Sequence, residues 1–392
     1  MATDINRPKI GRYIKQKEGY SAFTPYPFPP KEGFDMSPKL YKKHEEAIRL
    51  LGKLDGITRL LPDKDYFTFM FVVKDATYSS QIEGTRATMQ DAVAAPVTEE
   101  KDRKDTDVDD IEHYIRAANY GIKRAKELPL SLRFLRELHE KLMDGARATQ
   151  HAYPGEFRTS QNWIGGKSPS DASFVPPAPA DMNDALDDLE KFIHATDDLP
   201  SLVKAGLLHA QFETVHPFTD GNGRTGRILV AMFIQHLGLL EEPVLYLSSY
   251  FKKHQKLYYQ KLQSYHDEES DVEGWLTFFL EGVAEIAASS IETCTKITAL
   301  RDRDFAKMQK LGKQSAESTL EVVRKLFSQP IVGVAEIVQW TGFSPQGAYN
   351  MIERLKELEI LEPLGKSEYA QKYIYADYYE LFDDAFKGTK HQ

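Results

Sequence analysis

The strongest constraint on the fold is a helical hydrophobic pattern that runs from about residue 110 to residue 285 and is broken once. Apolar residues recur at helical spacing in two clear groups, Leu132, Leu135, Leu138 and Leu142, then Leu186, Leu189, Phe192 and Ile193. The break, over 151–180, is rich in Gly, Pro and Ser and has short β-prone stretches at each end. It predicts a β-hairpin or a long loop set into a mainly α domain.

Composition narrows the function classes. A chain of 392 residues predicts two or three domains, and its net charge of -9 disfavours a protein that coats nucleic acid. The single cysteine, Cys294, excludes a disulfide framework and a cysteine-based zinc site. No signal pattern opens the sequence, and no apolar run reaches the roughly 20 residues that span a bilayer. These features predict a cytoplasmic protein without a membrane partner.

The N-terminal part combines an extended segment with helices. Prolines alternate with aromatic residues in Tyr26-Pro27-Phe28-Pro29-Pro30, which predicts that residues 1–36 form an extended arm packed on the body. Helices are predicted from about Pro38 to Leu54 and from about Asp65 to Glu83, the second ending before Gly84. The mostly charged stretch 96–109 predicts a solvated loop.

The C-terminal part predicts a different module. A charged helical connector over 286–316 precedes three shorter helices and two short strands around Gly365 and Lys366. Ser344 followed by Pro345 is typical of an N-cap with proline at the first helical position. This order of elements predicts a winged-helix-like α+β module over 317–392.

The segment HPFTDGNGRTGR, residues 216–227, lies between predicted helices over 202–214 and 223–237. A glycine-rich loop that opens onto a helix N-terminus binds anions, because backbone N–H groups converge there and the helix dipole adds positive charge. Gly221 and Gly223 allow the backbone to approach a phosphate closely. The segment therefore predicts an anion site.

The charged residues of the same segment complete a catalytic set. Arg224 and Arg227 are three residues apart, so both project near one end of the helix, where guanidinium groups suit polyphosphate. Asp220 is a hard oxygen ligand for Mg²⁺, and His216 is a candidate general base at neutral pH. Together they indicate phosphoryl or nucleotidyl transfer.

Residues 216–227 resemble the Fic family signature, His-Pro-Phe-x-(Asp/Asn)-Gly-Asn-Gly-Arg-x-x-Arg, at every specified position. The family transfers AMP from ATP to a hydroxyl of a target protein. The resemblance implies that His216 deprotonates a Ser, Thr or Tyr hydroxyl, which attacks the α-phosphorus, and that Asp220 holds Mg²⁺. Gly223 stands where the kinase-like branch has lysine, which favours nucleotidyl transfer.

The resemblance also implies the residues that bind ATP. Residues from Gly221 to Gly223 would form the anion hole, and Arg227 would steady the γ-phosphate. The whole ATP-binding set predicted in this way is Glu83, Ile164, Gly165, Gly221, Asn222, Gly223, Arg224, Thr225, Gly226, Arg227, Tyr258 and Tyr259.

Residues 153–179 are similar to the family's flap, a hairpin beside the active site. An exposed hairpin edge can align an extended segment of a target by adding a strand. The flap is therefore predicted to dock a protein substrate and bring its hydroxyl to His216. Ile164 and Gly165 would line the nucleotide pocket.

Ser79-Ser80-Gln81-Ile82-Glu83-Gly84 matches the family's inhibitory motif, (Ser/Thr)-x-x-x-Glu-(Gly/Asn). Ser79 and Glu83 are i and i+4 and share a helix face. The resemblance implies that the Glu83 carboxylate pairs with Arg227 and occupies the place of the γ-phosphate. The resemblance therefore implies that this chain is autoinhibited, as in the branch of the family with an N-terminal inhibitory helix.

The expected fold is mainly α: a Fic helical bundle with a β-hairpin flap, plus the winged-helix-like module. Four segments are predicted, namely 1–109 with the inhibitory motif, 110–285 as the catalytic domain, 286–316 as the connector and 317–392 as the module. The predicted function is an autoinhibited protein adenylyltransferase that modifies target proteins and itself.

Alternatives stay open. The winged-helix-like module could bind DNA while the Fic-like part senses nucleotide, but ten acidic residues against six basic ones between Glu317 and Glu380 disfavour this. Packing, homodimer formation or protein docking is favoured for the module. The site could also remove AMP from a modified protein. A metal hydrolase built on His209, Glu213 and His216 is the weakest alternative.

Overall fold

The computed structural model describes residues 9–29, 36–59, 64–98, 107–146, 153–267, 269–365 and 371–383. Helices form most of this part of the chain, as the hydrophobic pattern predicts. In chain order they are α1 (Pro38–Arg59), α2 (Lys64–Ile82), α3 (Met89–Ala94), α4 (Asp107–Arg124), α5 (Leu132–Met143), α6 (Pro179–His194), α7 (Ser201–Val215), α8 (Asn222–His236), α9 (Ser248–Lys253), α10 (Gln255–Tyr265), α11 (Val272–Met308), α12 (Lys313–Leu326), α13 (Val334–Thr341), α14 (Pro345–Glu357) and α15 (Ala376–Tyr379).

Two small antiparallel sheets accompany the helices. Strands β1 (Gly11–Lys15) and β2 (Ser21–Pro25) pair from Gly11 opposite Pro25 to Lys15 opposite Ser21. The sequence predicted only an extended arm here, so the pairing is a correction. Strands β3 (Ile331–Val332), β4 (Glu362–Leu364) and β5 (Lys372–Ile374) form the second sheet in the order β3-β5-β4.

Contacts divide the chain into two units. One contains Met1–Gly52 and His113–Ala287, and the other contains Lys53–Glu112 and Ala288–Gln392. The four segments predicted from the sequence are each continuous, whereas each unit combines two separate ranges of the chain. The boundaries of the four segments stay a prediction.

In the first unit, α7 is buried along its whole length, from Leu202 to Val215, and packs against α6 and α8. Gly206 permits this packing, because a Cβ there would lie 2.9 Å from side-chain carbons of both Leu276 and Phe279. Trp275 Nε1 donates to the Gly206 carbonyl at 2.8 Å. The residue that follows α7, His216, is thus carried by a firmly held helix.

In the second unit, the C-terminal elements are fixed by local caps and by one buried acid. Ser344 Oγ accepts from Gly347 N at 3.2 Å, and proline follows at the start of α14, as predicted. Asp304 in α11 is buried and accepts from Tyr375 Oη at 2.5 Å. The winged-helix-like identity of these elements stays a prediction.

Most predicted helix bounds agree with the structure to within a few residues. The helix predicted to end near Leu54 continues to Arg59, and α2 ends at Ile82 ahead of Gly84, whose φ is +105°. Parts of the predicted arm (1–8 and 30–35), most of the predicted loop (99–106) and Lys366 lie outside the described residues. Over the described ranges, the helices are too short or too polar to cross a membrane.

Candidate active site

The signature segment forms a tight turn between α7 and α8. His216 caps the C-terminus of α7 in a left-handed conformation, with φ 47° and ψ 60°, and its N–H donates to the Phe212 carbonyl at 3.0 Å. Gly221 precedes α8 with φ 76°, a conformation that favours glycine. A Cβ at Gly221 would also lie 2.7 Å from Met143 Sδ. The turn therefore places His216 and the N-terminus of α8 side by side.

The His216 side chain is partly exposed, with 18% of its surface accessible. Its Nδ1 lies 3.2 Å from the Glu213 carbonyl oxygen and 3.9 Å from the Glu213 carboxylate. Because a carbonyl oxygen only accepts, this contact assigns the proton of the neutral ring to Nδ1. Nε2 is then the acceptor nitrogen, which is the state that a general base requires.

The turn is braced by amide side chains. Asn222 is buried, and its Oδ1 accepts from Phe218 N while its Nδ2 donates to Phe218 O, both at 2.8 Å. Asn162 Nδ2 adds donations to Phe218 O at 3.0 Å and to His216 O at 3.2 Å. The Asn222 side chain is thus committed to shaping the turn, and only its backbone is available to the predicted anion hole.

The two arginines of the signature are largely buried at the start of α8, with 7% of Arg224 and 5% of Arg227 exposed. Arg224 Nη2 lies 3.9 Å from Asp220 Oδ1 and 3.8 Å from Met143 Sδ. Burial, and then the positive charge of Arg227, lower the pKa of His209 to about 3. Helix N-terminus and guanidinium groups together make this end of α8 strongly attractive to anions.

Asp220 is the exposed acid of the turn, with 48% of its side chain accessible. Its Oδ1 accepts from Gly221 N at 2.6 Å, which orients the carboxylate. Among the described residues, there is no group of three or more His, Cys, Asp or Glu side chains that could hold a metal ion. A single carboxylate beside an anion site nevertheless fits Mg²⁺, which binds one or two carboxylates together with substrate phosphates.

His139 in α5 is a site residue that the sequence analysis did not select. Gly155 N donates to its Nδ1 at 3.0 Å, so Nε2 carries the proton and donates to the Asp220 carbonyl at 2.9 Å. The ring stacks on Phe218 with centroids 3.7 Å apart, and burial lowers its pKa to about 4. A histidine on the apolar stripe between Leu135 and Leu142 was the available signal.

The predicted hairpin flap turns back on itself with one antiparallel bridge, Ile164 opposite Phe174, instead of regular strands. Trp163 and Ile164 expose 40% and 36% of their surface, so the tip presents apolar side chains to solvent. Gly165, with φ +69°, lies tight against Ser173, because a Cβ would come within 2.7 Å of Ser173 Oγ. The flap is therefore a narrow, tightly turned element.

The other residues predicted to contact the nucleotide differ in how far their side chains are exposed. Tyr258 is 1% exposed inside an aromatic cluster, and Thr225 is fully buried, so neither side chain is presented to a ligand. Tyr259 is 46% exposed. Gly226 packs against Glu213, whose Oε1 lies 2.5 Å from where a Cβ would be. Burial thus supports packing roles for Tyr258 and Thr225.

The metal-hydrolase alternative loses its first ligand. His209 is fully buried, and its Nε2 lies 3.0 Å from the hydroxyl of Tyr258. Its ring also stacks among Phe251 and Trp275. A histidine held in this way is a core residue.

The predicted inhibitory motif lies in the second unit, at the C-terminus of α2. Ser79 is buried, whereas Glu83 and Gly84 are exposed in the turn that follows the helix. Glu83 N donates to Ser80 O at 3.0 Å and Thr85 N donates to the same oxygen at 3.2 Å. The motif therefore has the local form of a helix end with its carboxylate at the tip.

Family models match this chain in two adjacent regions. The model described as Fic/DOC family N-terminal matches residues 41–123, and the model described as Fic/DOC family matches residues 129–234. The second region contains the flap, His216 and the start of α8. Over these two regions, the chain therefore matches the Fic/DOC family.

Curated relatives are similar over shorter stretches. Protein adenylyltransferase fic-1 from Caenorhabditis briggsae is 27% identical over 154 residues, which are 39% of this chain and 28% of that protein. Protein adenylyltransferase Fic from Aedes aegypti is 32% identical over 139 residues, which are 34% of this chain and 24% of that protein. The chain thus matches only a minor part of the length of either relative.

Solved structures share the fold. A Fic family protein from Desulfovibrio desulfuricans aligns with a TM-score of 0.56 at 16% identity, covering 87% of this chain and 97% of that one. A Fic domain containing signaling protein from Bacteroides thetaiotaomicron aligns with a TM-score of 0.52 at 18% identity, covering 64% and 97%. These likenesses establish a Fic fold.

Proposed function

We propose that this chain is a protein adenylyltransferase that transfers AMP from ATP to a hydroxyl of a protein. The observation that carries the proposal is the pairing of the acceptor nitrogen of His216 with the anion-binding start of α8, where Arg224 and Arg227 lie. Curated relatives named protein adenylyltransferase support it. ATP is the proposed nucleotide substrate.

In the proposed reaction, His216 Nε2 accepts the proton of a Ser, Thr or Tyr hydroxyl. The oxygen attacks the α-phosphorus of ATP, the bond from that phosphorus to the bridging oxygen breaks, and pyrophosphate leaves. The product is an AMP ester of the protein. The N–H groups of Asn222 and Gly223 and the guanidinium groups of Arg224 and Arg227 stabilise the charge on the phosphates, while the Gly221 N–H holds the Asp220 carboxylate.

Asp220 is the proposed ligand for Mg²⁺, because its exposed carboxylate is oriented by Gly221 N next to the anion site. When bound, Mg²⁺ would neutralise phosphate charge between Asp220 and the nucleotide. His139 donates to the Asp220 carbonyl and so holds the backbone of this ligand in place.

The flap is the proposed docking element for the protein substrate. Its exposed Trp163 and Ile164 offer apolar contacts, and an extended target segment could add to its edge. Ile164 and Gly165 are also the proposed wall of the nucleotide pocket. Hydroxyls of the chain itself are further proposed acceptors.

Autoinhibition is proposed to act through Ser79, Glu83 and Gly84. A carboxylate offered to Arg227 would compete with the γ-phosphate of ATP and leave the α-phosphorus misaligned. The match of residues 79–84 to the family's inhibitory motif supports this. Glu83→Gly is expected to raise modification of targets and of the chain itself.

The decisive test uses labelled ATP with the wild type, Glu83→Gly and Glu83→Gly combined with His216→Ala. Label transfer should rise in the first variant and disappear in the double variant, while calorimetry shows ATP binding unchanged by the loss of His216. Glu242→Gly is a matched control on another acid. Transfer retained without His216 would remove it from its role, and transfer unchanged in Glu83→Gly would remove the inhibitory motif.

Residues 317–392 are proposed to form the winged-helix-like module. The order α12, β3, α13, α14, β4, β5 and the sheet order β3-β5-β4 support this. The excess of acidic residues disfavours DNA as its partner, so packing or protein docking is the proposed role. The cytoplasmic location stays a prediction.

A further inference from the structure

Arg158 lies in the flap where its first arm leaves the body, and it is 4% exposed. All its side-chain donations described by the structure go to backbone carbonyls. Nε donates to His216 O at 3.0 Å, Nη1 to Ser160 O at 3.1 Å, and Nη2 to Pro177 O at 2.6 Å and Val215 O at 3.4 Å. Burial lowers its pKa to about 10, so the guanidinium remains charged at neutral pH.

Two of these carbonyls belong to the C-terminus of α7. The last carbonyls of a helix have no partner within the helix and carry partial negative charge, which a cation stabilises. The backbone of His216 also has a left-handed conformation, which a residue other than glycine keeps only when its surroundings impose it. Arg158 Nε on His216 O and Arg158 N on Pro217 O at 2.9 Å supply part of that constraint, beside Asn162 Nδ2 on His216 O at 3.2 Å.

The other two carbonyls belong to the two arms of the flap. Ser160 lies on the arm that leaves the body and Pro177 on the arm that returns, and one guanidinium joins them. The planar fork of arginine makes this possible, because its donors point in fixed, different directions. Lysine, with one flexible ammonium group, cannot reproduce the set.

We propose that Arg158 is a positioning residue that ties the conformation of His216 to the root of the flap. A hydroxyl aligned by the flap then meets Nε2 of a base whose backbone is held by the same side chain. The inference rests on the proposed function, since it concerns the alignment of target and base. ATP binding at the start of α8 uses different groups, so substitutions of Arg158 should leave ATP affinity unchanged.

The test compares Arg158→Met, Arg158→Lys and the control Arg136→Met, each made in the full chain carrying Glu83→Gly, which is the parent protein. Arg136 also donates to a flap carbonyl, Gly155 O at 2.7 Å, and pairs with Glu156 at 2.7 Å, but it is partly exposed. Displacement of a reacting group by about 1 Å costs on the order of 100-fold in rate. Arg158→Met should therefore lower kcat for label transfer about 100-fold relative to the Glu83→Gly parent, with Arg158→Lys in between and the control near the parent.

The dissociation constant for ATP, measured by calorimetry, should stay within about threefold in all three variants, because a general unfolding would weaken it. The inference is supported if kcat falls in Arg158→Met and Arg158→Lys but not in Arg136→Met. An unchanged kcat in Arg158→Met relative to the parent, or an equal loss in Arg136→Met, would overturn it. If Arg158→Met does not fold, Arg158→Lys decides by the same comparison.

A second readout does not depend on activity. In protein labelled with ¹³C-histidine, the Cε1–H resonance of His216, assigned with His216→Gln, should shift in Arg158→Lys and not in Arg136→Met. An unmoved resonance would overturn the positioning role. A Glu83→Gly chain without label transfer would defeat the proposed function, while the resonance would still decide where Arg158 acts.

Discussion

Replacement of Asn222 by alanine should destabilise the protein more than its place in a proposed nucleotide-binding loop suggests. Its side chain is buried and spans Phe218 N and Phe218 O, both at 2.8 Å. Phe218 O would keep a donor, because Asn162 Nδ2 lies 3.0 Å from it. Phe218 N would lose the acceptor that Asn222 supplies in a fully buried residue.

The magnitude follows from this asymmetry. The lost bond to Phe218 O, which keeps another donor, costs about 1 kcal/mol, and the loss at Phe218 N, which leaves a buried donor without an acceptor, costs about 1–3 kcal/mol. Asn222→Ala should therefore lower the free energy of unfolding by about 2–4 kcal/mol. Asn162→Ala is the matched control, because both of its carbonyl partners keep another donor. Its two longer, part-buried bonds lie at the weak end of the range, about 0.5 kcal/mol each, so the variant should cost only about 1 kcal/mol.

Urea unfolding followed by far-ultraviolet circular dichroism measures both variants, and calorimetry measures ATP binding alongside. ATP affinity should fall in Asn222→Ala, because the backbone N–H groups of the anion site lose their brace. Equal stability losses in the two variants would refute the reasoning. So would a stable Asn222→Ala protein, since the turn would then hold its shape without the amide.

Two further predictions concern the packing around the site. Gly226→Ala places a Cβ 2.5 Å from Glu213 Oε1 and should lower the free energy of unfolding in urea by about 1–3 kcal/mol. Gly52→Ala is the control, because a Cβ there has nothing within 4 Å, and it should stabilise α1 by about 0.5–1 kcal/mol. An unchanged free energy of unfolding in Gly226→Ala would contradict the close packing of α8 on Glu213. Burial lowers the pKa of His266 to about 3, so the unfolded chain binds more protons, and stability should fall as pH drops below about 6.5. His266→Phe should lose less stability between pH 7 and pH 5 than the wild type, and an identical loss would exclude His266 as a source.

Much of the fold was predictable from local patterns. The spacing of apolar residues predicted α5, α6 and α7, and Ser344 with Pro345 marked the start of α14. Helices depend on residues three and four apart, so neighbouring residues carry enough information. Pairing of β1 with β2 was missed, because it is supported by distant contacts such as Phe23 N to Val175 O at 2.9 Å.

The candidate site divides in the same way. The sequence by itself determined its chemistry, because His216, Asp220, Arg224 and Arg227 lie within twelve consecutive residues that form one turn and one helix start. The directions of their groups follow from that local geometry.

Only the tertiary structure decided what holds those groups in place. His139 reaches Asp220 across 81 residues and Arg158 reaches His216 across 58, while Tyr258 turns inward to His209. Their local sequence is compatible with many partners, because a buried polar group must find its acceptor wherever the closed chain brings one. The reactive groups of the candidate site therefore come from adjacent residues, and their positions depend on packing between residues that are distant in sequence.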